Sequence, residues 1–220
     1  LTFESLTELP ILQIIEKEAF FKCEELTFES LNQIPVLQTI GDYAFYRCKA
    51  LTFGSLELSA LQTIGVYAFY GCNVLTFNSL KNLSALQTIE QKAFKNCEAL
   101  TFELIQLLDS LQTIGNGAFK NCKALTFGQV LELSALQTIE KEAFFRCEEL
   151  TFGSLKKFSA SALQTIGEAA FYGCKALTFG SLTELPSLRT IGHNVFEECT
   201  ALTFGLFIKL SALQTIGEYA

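Results

Sequence analysis

The residues best equipped for chemistry in this 220-residue chain are its eight cysteines, Cys23, Cys48, Cys72, Cys97, Cys122, Cys147, Cys174 and Cys199. An even count invites a disulfide framework. The spacing argues against it, because one Cys returns every 24 to 27 residues, always at the same place in an apolar pattern. Such a set reads as a stacked interior column in which Cys acts as a small hydrophobe, with free thiols as the expected state. Bridges between neighbouring coils stay geometrically open, since the coil spacing lies within the Cα separation a disulfide tolerates. A metal centre needs ligands converging from two or more directions, and the chain has no CxxC pair and no histidine cluster. No metal and no cofactor are expected. His193, the only histidine, follows Gly192 where other repeats carry Asp, Glu, Asn or Val, and no signature Ser or Cys stands beside it. It reads as a surface residue, and nothing else in the sequence points to an enzyme.

Two rows of side chains are better candidates for binding. One threonine per repeat, Thr2 through Thr203, lies between a Leu and a Phe and points away from the face those two share. Its neighbours on that side are mostly Ala before the Leu and Gly after the Phe. Thr52, Thr76, Thr101, Thr126, Thr151 and Thr178 are therefore the candidate concave binding face, an uncharged hydroxylated platform for an extended glycan or peptide. The structural alternative is that β-branched residues suit strands. Ice binding is set aside, because one row on a curved sheet matches a planar lattice poorly. Phe21, Tyr46 and Tyr70 form the second row, at one position in three successive coils, with Tyr43 and Tyr67 beside them. Phe145 and Tyr172 repeat the arrangement, whereas Lys95, Lys120 and Glu197 take the same position elsewhere, so it must reach solvent. This candidate convex aromatic ridge is either an interface or a stack that ties coils together.

The rows exist because the chain is a tandem array. Leu-Thr-Phe begins at Leu1, Leu26, Leu51, Leu75, Leu100, Leu125, Leu150, Leu177 and Leu202. It divides one domain into nine units, 1–25, 26–50, 51–74, 75–99, 100–124, 125–149, 150–176, 177–201 and a truncated 202–220. A period of this length marks a solenoid. Leu26 and Phe28 alternating about Thr27 predict a short parallel strand. A segment of variable length follows, one residue shorter in repeat 3 and two longer around Ser159–Ala162 in repeat 7, which predicts a surface loop. Leu37-Gln38-Thr39-Ile40 comes next, with Leu and Ile kept in all nine copies and usually followed by Gly, a turn residue. Ile40, Ala44, Phe45, Cys48 and Leu51 then recur at helix-like spacings, predicting a short helix or helical turns over Asp42 to Cys48. The expected fold is α/β: a curved solenoid with a parallel β-sheet on the concave side and short helical turns on the convex side, where bulk exceeds the strand spacing of about 4.8 Å.

Composition excludes several classes. The net charge is −7 and the 16 Lys and Arg are scattered singly, so no basic stripe is available to neutralise a phosphate backbone and nucleic acid is excluded as a partner. No apolar run approaches the length that spans a bilayer, so no transmembrane segment is expected. The chain starts without Met on the first residue of a repeat; any targeting signal or terminal cap is expected to lie outside it. Asn82-Leu83-Ser84 is a lone glycosylation sequon, meaningful only in a eukaryotic secretory context.

The run Leu-x-x-Ile-Gly-x-x-Ala-Phe-x-x-Cys-x-x-Leu, as in Leu37 to Leu51, resembles the leucine-rich repeats of the Treponema pallidum type, the BspA-like class. The resemblance covers the whole chain, with Glu in place of Gly in repeats 1, 4 and 6. After the Cys the chain departs from the family, with Leu-Thr-Phe-x-x-Leu where Leu-x-x-Ile-x-Ile-Pro is usual. The resemblance implies a horseshoe-like leucine-rich repeat solenoid on bacterial or protist surface proteins, used for adhesion or for host and matrix contact, and it carries over no binding residue. The expected function is a non-catalytic scaffold for a protein or glycan ligand, located at the cell surface or secreted. The rival expectation is a structural protein, a fibre or spacer that self-associates through uncapped ends. An intracellular sensor is a third, remote one.

Overall fold

The structure, a computed structural model, describes residues 8–28, 33–53, 56, 58–76, 83–102, 108–127, 131–151, 158–178, 184–203 and 209–220. The undescribed residues fall mostly in the variable segment, so its expected surface loop lies largely outside the described residues, as do Asn82 of the sequon and Thr2.

One parallel ladder organises the described residues. Nine two-residue strands, from Ile14–Ile15 and Thr39–Ile40 through to Thr190–Ile191 and Thr215–Ile216, stand side by side in chain order. Each pairs in register with the next, Thr39 with Thr63 and Ile40 with Ile64, for example. The expected strand at Leu-Thr-Phe is thus corrected, because the continuous ladder runs through the Thr-Ile of Leu-Gln-Thr-Ile. Among the described residues Leu-Thr-Phe forms isolated parallel bridges, Phe28 with Phe53 and Phe102 with Phe127, while Phe3, Phe77, Phe152, Phe179 and Phe204 lie outside the described residues. Two features explain the shift. Thr-Ile places two β-branched residues together, which suits a strand. The eleven-residue step from each ladder Ile to the next Leu, Ile40 to Leu51 and Ile64 to Leu75, never changes in length, so every bond in that arc repeats. Leu-Thr-Phe borders the segment whose length varies.

No helix is present among the described residues, so the helical turns expected over Asp42 to Cys48 are also corrected. The arc is a run of tight turns in which successive N–H groups alternate between two acceptors. Ala44, Tyr46 and Cys48 donate three residues back, to the carbonyls of Gly41, Tyr43 and Phe45. Tyr43, Phe45 and Arg47 donate forward into the next coil, to Val66, Ala68 and Tyr70, at 2.7 to 2.9 Å. A helix would spend all of these donors on itself, whereas this ribbon spends half on its neighbour and cross-links the coils. The alternation requires positive φ twice per coil, at Tyr43 and Arg47, Tyr67 and Gly71, Lys92 and Asn96, Gly117 and Asn121. Gly and Asn tolerate that conformation. The recurrent Gly after the ladder has a different cause. A Cβ on Gly41 would lie 2.7 Å from the backbone nitrogen of Lys17 in the preceding coil.

The core lies inside these arcs. Phe45, Phe69, Phe94, Phe119, Phe144 and Phe171 form a continuous stack with centroids 5.1 to 5.3 Å apart and nearly parallel rings. Leu26, Leu51, Leu75, Leu100 and Leu125 are fully buried beside it, with Ala44 and its equivalents packed against the same column. Apart from the cysteine thiols, no polar or charged side chain is buried among the described residues.

Candidate functional site

The cysteine column is the most reactive chemistry the chain carries, and the fold uses it as a set of hydrogen-bond donors. All eight are free, with the six from Cys48 to Cys174 buried and Cys23 and Cys199 half-buried. Each thiol from Cys48 onward donates to the carbonyl of the inward Phe one coil earlier, Cys48 to Phe20 at 3.0 Å and Cys97 to Phe69 at 2.9 Å among them. The same type of carbonyl accepts the N–H of its own coil's Cys, as Phe45 does from Cys48, so the thiol fills its second lone pair. Loss of solvent pushes the Cys48 thiol up to about 12 and that of Cys199 to about 11. The same cause raises Cys72, Cys97, Cys122, Cys147 and Cys174. A thiol held protonated is neither nucleophile nor metal ligand.

The threonine row is aligned but less open than the sequence suggested. Thr52, Thr76, Thr101, Thr126, Thr151 and Thr178 are all half-buried. The Thr52 hydroxyl is shielded from solvent with no partner in the structure, and Thr151 and Thr178 share a hydrogen bond of 2.7 Å. Part of this hydroxyl array is therefore spent inside the protein. A more exposed row lies immediately before the ladder strands, where Gln38, Gln62, Gln87, Gln112, Gln137 and Gln164 face solvent. The sequence does not single this row out, because the alternation of Leu-Thr-Phe points the expected strand elsewhere.

The aromatic ridge is a stacked ladder that also meets solvent. Phe21, Tyr46 and Tyr70 follow one another at 5.1 and 5.0 Å with rings within 14° of parallel. Tyr43 and Tyr67 stack beside them at 5.1 Å, and Phe145 on Tyr172 at 4.9 Å. Phe21 is 40% exposed and the four tyrosines are half-buried. The ring contacts accompany an exposed position, so stacking and accessibility coexist here. Cations border the ridge: Lys22 lies over Phe21, Arg47 over Tyr46, Lys92 over Tyr67 and Lys95 over Tyr70, at 5.1 to 5.8 Å. Lys92 donates to the Tyr67 hydroxyl at 2.9 Å, and Asn96 to that of Tyr70 at 3.3 Å. The signal for these companions was in the sequence, since Lys92 and Lys95 occupy in the fourth coil the positions of Tyr67 and Tyr70 in the third.

His193 is exposed, as expected. Its Nδ1 accepts the Glu218 backbone N–H at 3.0 Å. Nearby, the Lys141 ammonium bonds Glu168 at 2.9 Å and, with a smaller contribution from His193, holds that carboxylate below its usual range. Charges after the cysteines alternate in sign, so that Lys49 meets Glu24 at 2.9 Å and Lys175 meets Glu148 at 3.0 Å across neighbouring coils. Pairs this exposed contribute little to stability and fit a coil-matching role. Among the described residues no group of three or more His, Cys, Asp or Glu is placed to hold a metal, and no helix is long and apolar enough to cross a membrane.

Comparison with known proteins places this architecture. The sequence profile of the BspA type leucine rich repeat region, six copies long, matches residues 2–126 and again 126–220. No curated protein matches the chain by sequence. Among solved structures, a leucine rich cell surface protein from Faecalibacterium prausnitzii is similar with a TM-score of 0.55 and 19% identity, over 93% of this chain and 64% of that one. The chain thus spans less than two thirds of that protein's length. The T. pallidum leucine rich repeat protein is 21% identical over 93% of this chain and 77% of its own, with a TM-score of 0.46.

Proposed function

The chain belongs to the BspA-type leucine-rich repeat family, and from that premise we propose that it is a non-catalytic scaffold that binds a protein or a glycan at a cell surface. The observation that carries the reading is the contrast between interior and exterior. Apart from the cysteine thiols, the buried set of described residues holds no polar or charged side chain, while the phenols, ammonium groups, amides and threonines lie in half-buried or exposed rows along the coils. A rigid cross-linked frame with rows of changeable side chains suits recognition over an extended surface. A reaction would need several such groups converging on one atom. The surface location is supported by the fold's likeness to a protein described as a leucine rich cell surface protein. The ridge of Phe21, Tyr43, Tyr46, Tyr67 and Tyr70 is the first contact surface, because large partly exposed aromatics concentrate binding energy. The threonine row is the second.

The test is to screen the immobilised chain against extracellular-matrix proteins and polysaccharides. Saturable binding that weakens when Tyr46→Ser and Tyr70→Ser are combined is the expected result. Retention of no ligand of either class overturns the reading. A double variant that melts earlier yet binds as before would reduce the ridge to a stacking device.

A further inference from the structure

Building on the surface-binding reading, we propose that the ridge and its bordering cations form a binding strip for an anionic polysaccharide carrying a carboxylate on successive sugars. The first ground is charge. The strip comprises the residue after each inward Phe and the two positive-φ positions flanking it. Over the first seven coils these positions hold six cations, Lys22, Arg47, Lys92, Lys95, Lys120 and Arg146, against two acids, Glu18 and Glu142. The chain as a whole carries −7. The eighth coil reverses the sign with Glu197 and Glu198, so the excess of four positive charges belongs to coils one to seven, and that stretch of an acidic protein is where an anion is drawn in.

The second ground is that these cations are poorly matched within the protein. Lys120 meets the Glu142 carboxylate at 2.7 Å. Lys92 turns instead to a phenol hydroxyl and Lys95 to the ring of Tyr70, and among the described residues neither forms an ion pair. Burial first, then the nearby Lys120 and Lys92, hold the Lys95 ammonium below its usual range. Crowded like charges of this kind are relieved by a bound anion.

The third ground selects the class of partner. The ridge rings stack on one another at 5.0 to 5.1 Å, which closes their faces to a neutral sugar and leaves edges, phenol oxygens and ammonium groups outward. Along the solenoid these groups repeat at the coil spacing of about 4.8 Å, whereas carboxylates on one face of an extended peptide repeat at about 6.7 Å and fall out of step. In an extended uronate chain with a twofold twist successive carboxylates alternate sides, so those facing the strip recur on every second ring, close to two coils, and coils two, four and six carry Arg47, Lys92 with Lys95, and Arg146.

Polygalacturonate is the probe, measured by biolayer interferometry at low salt with uncharged dextran and polyglutamate as comparators. The expected result is binding to polygalacturonate alone, weakened about tenfold by Lys92→Gln with Lys95→Gln and made less salt-sensitive. Lys95→Gln is also measured singly, since among the described residues that side chain meets the Tyr70 ring and donates no hydrogen bond, and a several-fold loss is expected. Equal binding of polyglutamate, unchanged binding by the variants, or failure of polygalacturonate to bind overturns the strip. The broader surface-binding reading survives any of these if the matrix screen still returns a ligand, and falls with the strip if it does not.

Discussion

Two aromatic ladders run side by side through this molecule, one residue apart in sequence. Phe45, Phe69, Phe94 and Phe119 make the inner one and Tyr46, Tyr70, Lys95 and Lys120 occupy the outer one. Where both are aromatic their geometry is nearly the same, 5.1 Å between Phe45 and Phe69 and 5.0 Å between Tyr46 and Tyr70, with rings 9° and 14° from parallel. Yet the inner position is Phe in all eight coils that reach it, while the outer one changes to Lys and Glu. Stacking itself therefore does not fix residue identity. Burial does: an inner ring faces protein on every side, whereas an outer ring keeps an edge in water and can be exchanged for a side chain with another use.

The largest effect that separates the two sides is alkaline unfolding. The inner side carries the cysteine column, whose folded thiols ionise well above the ordinary value of 9.0. A group whose folded pKa is raised supports the fold fully below its unfolded value and loses that support as pH climbs toward the folded one. Stability should hold up to about pH 9 and then fall, each buried thiol steepening the decline by about 1.4 kcal/mol per pH unit. Denaturant melts at pH 7, 9 and 10 check this, and Cys97→Ala with Cys122→Ala should flatten the slope. Ring removal comes second. Phe94→Ala deletes a side chain stacked on Phe69 and Phe119 and edge-on to Phe102, and should cost about 3 to 5 kcal/mol. Tyr46→Ser, one rung in the outer ladder, should cost about 1 kcal/mol. Equal losses for the two would erase the distinction.

The sequence made some of this legible because a tandem array repeats its evidence. The column of Ile40, Ala44, Phe45, Cys48 and Leu51 reads directly from recurrence, and each of these side chains is buried. The backbone that carries them does not read so easily. Spacings of 4, 1, 3 and 3 suit a helical stripe and a run of tight turns alike. What distinguishes them is the residue tolerated at positive φ, and Gly71, Asn96, Gly117, Asn121 and Gly173 mark those positions. Glu18, Tyr43, Tyr67 and Lys92 sit in the same conformation without any such signature, which diluted the signal. Strand phase failed for a related reason: Leu-Thr-Phe and Leu-Gln-Thr-Ile both alternate, and only the constant length after the second reveals which ladder continues. Of the candidate surfaces, the ridge was legible as a row. Its cations become visible only when positions are compared between coils, since Lys92 lies 25 residues from Tyr67 and bonds to it.

The finest test exchanges residues between the ladders. Phe94→Tyr places a hydroxyl in the inner stack, where Phe94 is fully buried within an apolar core and packs on the rings of Phe69, Phe102 and Phe119; the unpaired group should cost about 1 to 3 kcal/mol. Lys95→Tyr, the adjacent residue, does the opposite. It sets a ring against Tyr70, removes an ammonium group crowded by Lys92 and Lys120, and leaves the hydroxyl room to reach water. A gain of a few tenths to about 1 kcal/mol is expected in thermal melts, together with weaker binding of polygalacturonate. Stability and binding then move in opposite directions on a single substitution, which is what separates a position kept for recognition from one kept for the fold. A loss of stability as large as that of Phe94→Tyr would instead mean that the outer ladder is as tightly determined as the inner one, and that Lys95 stands there for packing.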